Sequence, residues 1–524
     1  MKIAIPQLNY YAGDIDKNYV IISKAIAKAK EQNADLIVFP ELAICGTFPE
    51  DLLEREQYAK DCMNAVIAIS KECEEIAAIV GAPNLDEEGM YNSAFFMQNG
   101  IITDEVRKTV FSDYDIYDDN RYFAEGELEN SKPIILKKQH LRILFDEYEE
   151  ELIQKQDDLV IYIANPPFTK DLLTYKEHFL SEIAKNHSKP VISVNRCGAN
   201  TSLVFHGDSS VYNKNGERIY KLRSFDEDFM IVDTEKINES APLKRAGKQA
   251  SNIEVIYKAL KSGLKDFFAK NKFEKAVVGL SGGIDSSVVA ALAVEVLGKD
   301  NVWGILMPSE FSTDHSVKDA EDLAKNLGIK HNILPIKTIY NEFMYSLETL
   351  FKGLPFNVAE ENLQARIRGT LLFTLSNKFG NIVLNTSNKS EAAVGYGTLY
   401  GDLCGSLCVI GDIYKTEVYE LAQHINRNGV IIPANSITKA PSAELHPDQK
   451  DQDSLPDYDV LDKILYDYLE EGLSEENLII KGYNKDTVFE VVSLIAKNEY
   501  KRAQCPPAIK VSKKAFGSGR RIPF

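Results

Sequence analysis

The run Gly279-Leu280-Ser281-Gly282-Gly283-Ile284-Asp285-Ser286-Ser287 carries the sharpest chemistry in the chain. It follows an apolar stretch read as a strand over 275–279 and opens a helix expected over 286–297. Two adjacent glycines let the backbone come close to an anion, and a helix N-terminus offers free N–H groups and a positive dipole end. Ser281, Ser286 and Ser287 add hydroxyl donors. Asp285 would repel a phosphate unless it held a cation, so it reads as a magnesium ligand. The loop lacks the GxxxxGK[ST] spacing and the lysine of a P-loop. A plain strand–turn–helix with a serine cap would also use Gly and Ser. The complete SGGIDSS string in this setting favours the phosphate site.

The elements that must position this loop form a βαβαβ series. A helix is expected over 253–271, then strand 275–279, helix 286–297, strand 301–307, helix 314–327 and strand 331–334. That alternation predicts a Rossmann-like, doubly wound parallel sheet. The first half also alternates. Strands are expected over 2–8, 35–39, 77–81, 141–145, 159–163 and 191–195, with helices over 17–32 and 63–75 and a hairpin over 204–218 turning at 213–217. The pattern fades into polar and small residues after 233. The chain therefore reads as α/β throughout, with one domain over 1–240, a linker over 241–252 and a second domain over 253–524.

A length of 524 residues, 44% of them hydrophobic and 26% charged, excludes a disordered or fibrous chain. Lys and Arg number 60 against 78 Asp and Glu, a net charge of −18, which disfavours nucleic-acid or membrane-surface binding. Seven cysteines, at 45, 62, 73, 197, 404, 408 and 505, form neither a disulfide framework nor a zinc pattern. No stretch approaches the ~20 apolar residues of a membrane helix, and the N-terminus lacks a signal-peptide core. A cytoplasmic setting is the expectation.

The loop resembles the pyrophosphate-releasing ATP loop of the N-type ATP pyrophosphatases, which include synthetases for GMP, asparagine, argininosuccinate and NAD. Further segments narrow the likeness. They are ENLQARIRG at 361–369, NTSNKSE at 385–391, GYGTLYGD at 395–402, DIYKT at 412–416, PSAEL at 441–445, EYKRAQCPP at 499–507 and FGSGRR at 516–521. Together they closely resemble NAD synthetase over essentially all of 253–524, in its long, glutamine-dependent class. The resemblance implies that ATP adenylates the carboxylate of deamido-NAD, pyrophosphate leaves, and nitrogen displaces AMP. It implies ATP binding by residues 279–283, 285–287 and Thr386. It implies deamido-NAD binding by Asn362, Arg366, Glu391, Lys415, Lys501 and Arg502, and magnesium at Asp285 and Glu391. For Lys389, a phosphate contact and a plain surface lysine are equally open. Ser387 stands where glycine is more usual in the family. The family forms at least dimers.

The first half resembles the carbon–nitrogen hydrolase (nitrilase-like) glutaminase domain of the same class, an αββα sandwich with a Glu–Lys–Cys triad. Glu is the general base, Cys the nucleophile, and Lys stabilises the oxyanion. By that resemblance Glu41 in FPELAICG is the base, Lys108 the lysine, and Tyr114 lines the glutamine pocket. The nucleophile's place, after the strand over 141–145, is held by Phe145, and no cysteine lies between 73 and 197. An aromatic ring has no lone pair to attack an amide. Asn165-Pro166-Pro167-Phe168 and Asn200-Thr201-Ser202-Leu203 also depart from the family's Ser-Pro-Phe and Gln-Asp-Glu-Leu. The expectation is a degenerate glutaminase and a synthetase using ammonia, with Cys45 or Cys197 as weak substitutes. The alternatives are a nucleotide-binding regulatory pseudoenzyme or another amidating N-type ATP pyrophosphatase.

Overall fold

The computed structural model describes residues 1–113, 115–128, 131–243, 251–447, 449–517, 519, 520, 522 and 523. Chain packing separates two units, Met1–Gln249 and Ala250–Phe524.

The first unit contains strands β1 (Lys2–Gln7), β2 (Leu36–Val38), β3 (Ala77–Leu85), β4 (Met90–Gln98) and β5 (Ile101–Arg107), joined edge to edge with β14 (Asp228–Asp233) in the order β14-β1-β2-β3-β4-β5. A second sheet runs β13-β12-β9-β8-β7-β6, from β6 (Ile134–Leu136), β7 (Gln139–Leu144), β8 (Leu159–Tyr162), β9 (Val191–Ser193), β12 (Ser210–Tyr212) and β13 (Arg218–Lys221). Strands β10 (Cys197–Asn200) and β11 (Leu203–His206) pair apart from both. Side chains alternate across each strand. Leu141, Ile143 and Phe145 therefore enter one core with Ile161 of the adjacent β8 and with Ile3, Ile5 and Val38 of the other sheet, while Leu144 enters another with Leu180 and Ile183 of helix α4 (Leu172–His187). On the opposite outer face lie α1 (Ile15–Glu31) and α2 (Glu56–Lys71), which bury Ile22, Ile26, Val66 and Ile69 against the first sheet. This is the αββα sandwich. Asp14 caps α1 through the Lys17 N–H, and Lys28 and Lys30 complement its last turn. A four-residue helical turn, α3 (Asp119–Tyr122), follows β5.

Two details differ from the sequence reading. The expected hairpin over 204–218 is two separate pairings: β11 turns back on β10, and only β12 pairs with β13 across residues 213–217. Helix α2 starts well before the expected 63, because Tyr58, Ala59 and Cys62 already supply its inward face. Most of the expected linker, 244–250, lies outside the described residues.

The second unit holds one parallel sheet in the order β17-β16-β15-β18-β19. Its elements are α5 (Asn252–Asn271), β15 (Ala276–Gly279), α6 (Ile284–Leu297), β16 (Val302–Leu306), α7 (Asp314–Leu327), β17 (Lys330–Ile333), α8 (Lys337–Phe351), α9 (Val358–Phe379), β18 (Ile382–Asn385), α10 (Lys389–Val394), β19 (Leu407–Cys408), α11 (Lys415–Ile425), α12 (Ala434–Thr438) and α13 (Tyr458–Leu469), with further short helices after residue 474. The strand order reverses at β15, the doubly wound arrangement, and opens a crevice beyond the carboxyl ends of β15 and β18. Helix α6 reads as apolar all round because it is enclosed, burying Val288, Val289, Leu292 and Ala293. Among the described residues no helix is long and apolar enough to cross a membrane.

Candidate active sites

A cavity of about 280 Å³ lies at that crevice. The loop from β15 into α6 forms one wall through Gly279, Leu280, Ser281, Gly283, Asp285 and Ser286, and Thr386 stands across it beyond β18. Gly282 is required by geometry. Its φ is +79°, and a Cβ there would sit 2.2 Å from the Ser316 carbonyl oxygen. The serines divide their tasks. The Ser287 hydroxyl donates to the Gly283 carbonyl at 2.7 Å, and Ser281 accepts from the Gly283 N–H at 3.2 Å and meets Ser286 at 3.1 Å. Gly282 and Ser287 thus shape the loop without joining the wall.

Lys415, the first residue of α11, is buried with its ammonium 2.6 Å from Asp285 and 3.0 Å from Glu391. Asn388 also donates to Asp285 at 2.9 Å. Burial works against the Lys415 charge, but the two carboxylates outweigh it and hold the pKa above its ordinary value. Glu391 is pushed up to about 8, first by burial and then, against the pull of Lys415, by Asp285 and Asp451. One ammonium thus pairs with two half-buried carboxylates, with the buried Asp451 nearby, an arrangement that would take further positive charge. Asp285 and Glu391 converge on the one Lys415 ammonium and could hold a cation between them. That suits a magnesium ion sharing two carboxylates with substrate phosphates. Among the described residues no cluster of three or more His, Cys, Asp or Glu makes an all-protein metal cage.

Other expected residues stand elsewhere. Arg502 is buried, donating to the carbonyls of Ala392, Ala393 and Ile495 and pairing with Glu499 at 2.7 Å. Its guanidinium braces helix ends and does not line the cavity. Lys389 is fully buried between Asp412 and Glu470, each at 2.9 Å, and is likewise structural. Lys501 donates to the Gly395 and Gly397 carbonyls at 2.8 and 3.0 Å, outside the cavity wall. Asn362 accepts from Thr398, and the exposed Arg366 donates to the Leu399 carbonyl at 3.3 Å; neither lines the cavity. Sequence reasoning missed Arg368, which lines the cavity and donates to the Met307 carbonyl at 3.0 Å. Its place two residues beyond Arg366, on another face of α9, was the available signal. It also missed Asp451, Lys439 and Glu444 in the cavity wall.

In the first unit Glu41 and Lys108 meet. The Lys108 ammonium is 3.2 Å from Glu41 and 2.8 Å from Asp119 of α3, and Asn92 donates to Glu41 at 2.6 Å. Burial opposes the Lys108 charge, yet Glu41 and Asp119 raise its pKa above normal. Burial raises that of Glu41. Asp119 was unforeseen, although it follows Lys108 in the same segment. Asn165 ties this centre from below, donating to the Glu41 carbonyl at 2.7 Å and to Thr47 at 3.0 Å.

Phe145 directly follows β7. Its N–H donates to Glu149 at 2.7 Å, and Glu149 also accepts from the N–H and hydroxyl of Thr109, the residue after Lys108. The ring is 1% exposed and belongs to the inter-sheet core. Cys45 lies in the helix-side core, donates to the Leu42 carbonyl, and has its thiol pushed well above the usual range by burial. That disfavours a thiolate there. Cys197 is buried at the start of β10. Tyr114 lies outside the described residues.

Comparison with known proteins agrees with both halves. The carbon-nitrogen hydrolase family matches residues 2–237 and the NAD synthase family residues 256–505. The chain is 40% identical to a glutamine-dependent NAD(+) synthetase of Synechocystis sp., covering 100% of this chain and 98% of that one, and 38% identical to one of Aquifex aeolicus, covering 100% and 99%. The structure of an Acinetobacter baumannii glutamine-dependent NAD+ synthetase, solved with ADP, superposes with a TM-score of 0.80 at 36% identity, covering 100% of this chain and 98% of the other. The chain belongs to the glutamine-dependent NAD(+) synthetase family.

Proposed function

We propose that this ligase amidates deamido-NAD at the expense of ATP, taking nitrogen from ammonia, and that its first unit hydrolyses no glutamine. The cavity at the β15–β18 switch carries the first part of this reading, since it joins the Ser281–Ser286 loop to the Asp285–Lys415–Glu391 cluster. A substrate carboxylate oxygen attacks the α-phosphorus, the bond to the β-phosphate oxygen breaks, and pyrophosphate leaves. Ammonia then attacks the acyl carbon, AMP departs, and one proton is released. The loop N–H groups and the α6 terminus hold the departing pyrophosphate. Lys415 and Arg368 offset the phosphate charge. Asp285 and Glu391 would hold magnesium, which neutralises phosphate charge when bound. ADP in the Acinetobacter baumannii relative supports a nucleotide in this cavity.

Phe145 carries the second part. Thioester formation needs a sulfur nucleophile beside Glu41 and Lys108, and that position offers a buried ring. We further infer a homodimer. Phe343, Tyr345, Leu350, Leu354, Phe356 and Val358 are exposed on α8 and the approach to α9, the helix carrying Asn362 and Arg366, and a second copy there would bring both toward substrate. Seven free cysteines suit a reducing cytoplasm.

Turnover of deamido-NAD labelled with ¹⁸O in its carboxylate tests the route. Transfer of one label to AMP supports the adenylate, and unlabelled AMP contradicts it. A regulatory pseudoenzyme would release no AMP.

A further inference from the structure

Asp451 takes no part in the scheme above, yet it is bound closely to the groups that do. It lies in the stretch 449–454, is 3% exposed, and forms part of the cavity wall. One carboxylate oxygen accepts from the Tyr396 hydroxyl at 3.0 Å and the other from the Tyr458 hydroxyl at 2.8 Å. Its backbone is anchored too: its N–H donates to the Pro441 carbonyl at 3.1 Å, and its carbonyl accepts from Ser454 and Leu455.

Each tyrosine leads to the reacting region. Tyr458, the first residue of α13, is buried, and its ring faces the Lys415 ammonium with the centroid 5.4 Å away. Tyr396 lines the cavity two residues beyond α10, the helix that carries Glu391, and its N–H donates to the Glu391 carbonyl at 2.9 Å. A buried carboxylate is costly to desolvate and is kept where charged hydrogen bonds repay it. Here both oxygens are used on the two hydroxyls, and no lysine or arginine pairs with Asp451 among the described residues.

We propose that Asp451 is a positioning residue for the amidation. Through Tyr458 it fixes the ring face on which the Lys415 ammonium rests between Asp285 and Glu391. Through Tyr396 it fixes the adjoining cavity wall. The proposal rests on the synthetase reading of this cavity.

The test uses the full-length protein with deamido-NAD, Mg-ATP and ammonium chloride, comparing native protein with Asp451→Asn, Asp451→Glu, Tyr458→Phe and the double variant Asp451→Asn/Tyr458→Phe. Asn keeps the shape but not the charge. The expected result is a kcat for Asp451→Asn lowered about 10–100-fold with KM for ATP within about 3-fold. Thermal midpoint stays close to native, and Asp451→Glu recovers part of the rate. Tyr458→Phe keeps the ring and should lose a smaller share, with little further loss when added to Asp451→Asn. A kcat within about 2-fold of native for Asp451→Asn, or losses that simply follow the thermal midpoint, would overturn the proposal. If Asp451→Asn does not fold, Tyr458→Phe decides alone: native kcat overturns the proposal, and reduced kcat at native KM and midpoint supports it. Native protein that forms no NAD overturns the synthetase reading, and this proposal with it.

Discussion

The Lys108 ammonium lies 3.2 Å from the Glu41 carboxylate in the sandwich unit, with Asp119 closing its other side at 2.8 Å. The two residues we propose as the base and lysine of a glutaminase triad are thus paired and buried, while position 145 presents a ring to the core. The pair persists as an electrostatic unit. A buried lysine without its carboxylates, or the reverse, would be strongly destabilising. Loss of either Glu41 or Lys108 alone would therefore destabilise this unit whether or not glutamine is turned over there.

Phe145 should act as core. Phe145→Cys removes most of a ring from between the sheets and is expected to cost about 2–4 kcal/mol through lost contact and residual cavity. Urea unfolding followed by the first unit's signal checks this, and an unchanged midpoint would mean that the ring is not load-sharing with Ile143 and Ile161.

Lys415→Met should be severe in two ways. It leaves Asp285, Glu391 and Asp451 crowded without a cation, at a cost of about 3–5 kcal/mol. It should also lower ammonia-dependent NAD formation by more than about 100-fold. Magnesium should raise the thermal midpoint of the variant more than that of the native protein, because the freed carboxylates bind it. An equal shift in both would argue against a cation position between Asp285 and Glu391.

Gly282→Ala introduces a side chain at φ +79° and 2.2 Å from a backbone oxygen of α7. The loop must move, so ATP affinity should fall by at least about 10-fold while the first unit stays folded. Titration calorimetry with ATP measures it, and native affinity would remove the loop from the binding site.

The fold was legible where periodicity was strong. Alternating apolar strands and the glycine-serine loop at 279–287 give the doubly wound unit and its crevice directly. The ion-pair partners were not legible. Lys389, Lys415 and Arg502 look alike in sequence, yet one reaches the cavity and two are locked in the core by Asp412, Glu470 and backbone carbonyls. Their roles depend on which chain segments meet, up to 130 residues apart for Lys415 and Asp285, and local spacing does not encode that. Asp119, at the start of α3, and Asp451, in the stretch 449–454, were missed for the same reason: their partners are set by tertiary packing and not by local spacing.

Acid should weaken the first unit through His206. Both ring nitrogens are buried without partners among the described residues. Burial first, then Lys176 and Lys221, lowers the pKa to about 3, against the pull of Asp208. Above pH 6.5 the ring is neutral in both folded and unfolded states and contributes no pH dependence. Below it the unfolded state takes up the proton and the folded state does not. Stability then falls by about 1.4 kcal/mol per pH unit, reaching a loss of about 2 kcal/mol at pH 5. His206→Leu should flatten that slope in urea titrations between pH 7 and 5, and an unaltered slope would assign the acid sensitivity elsewhere.

The most direct measurement is NAD formation by the purified protein from deamido-NAD and Mg-ATP, run in parallel with ammonium chloride and with ammonia-free glutamine. The account predicts turnover with ammonium and none above background with glutamine. NAD formed from glutamine, with glutamate released in equal amount, would contradict it and require a nucleophile other than residue 145.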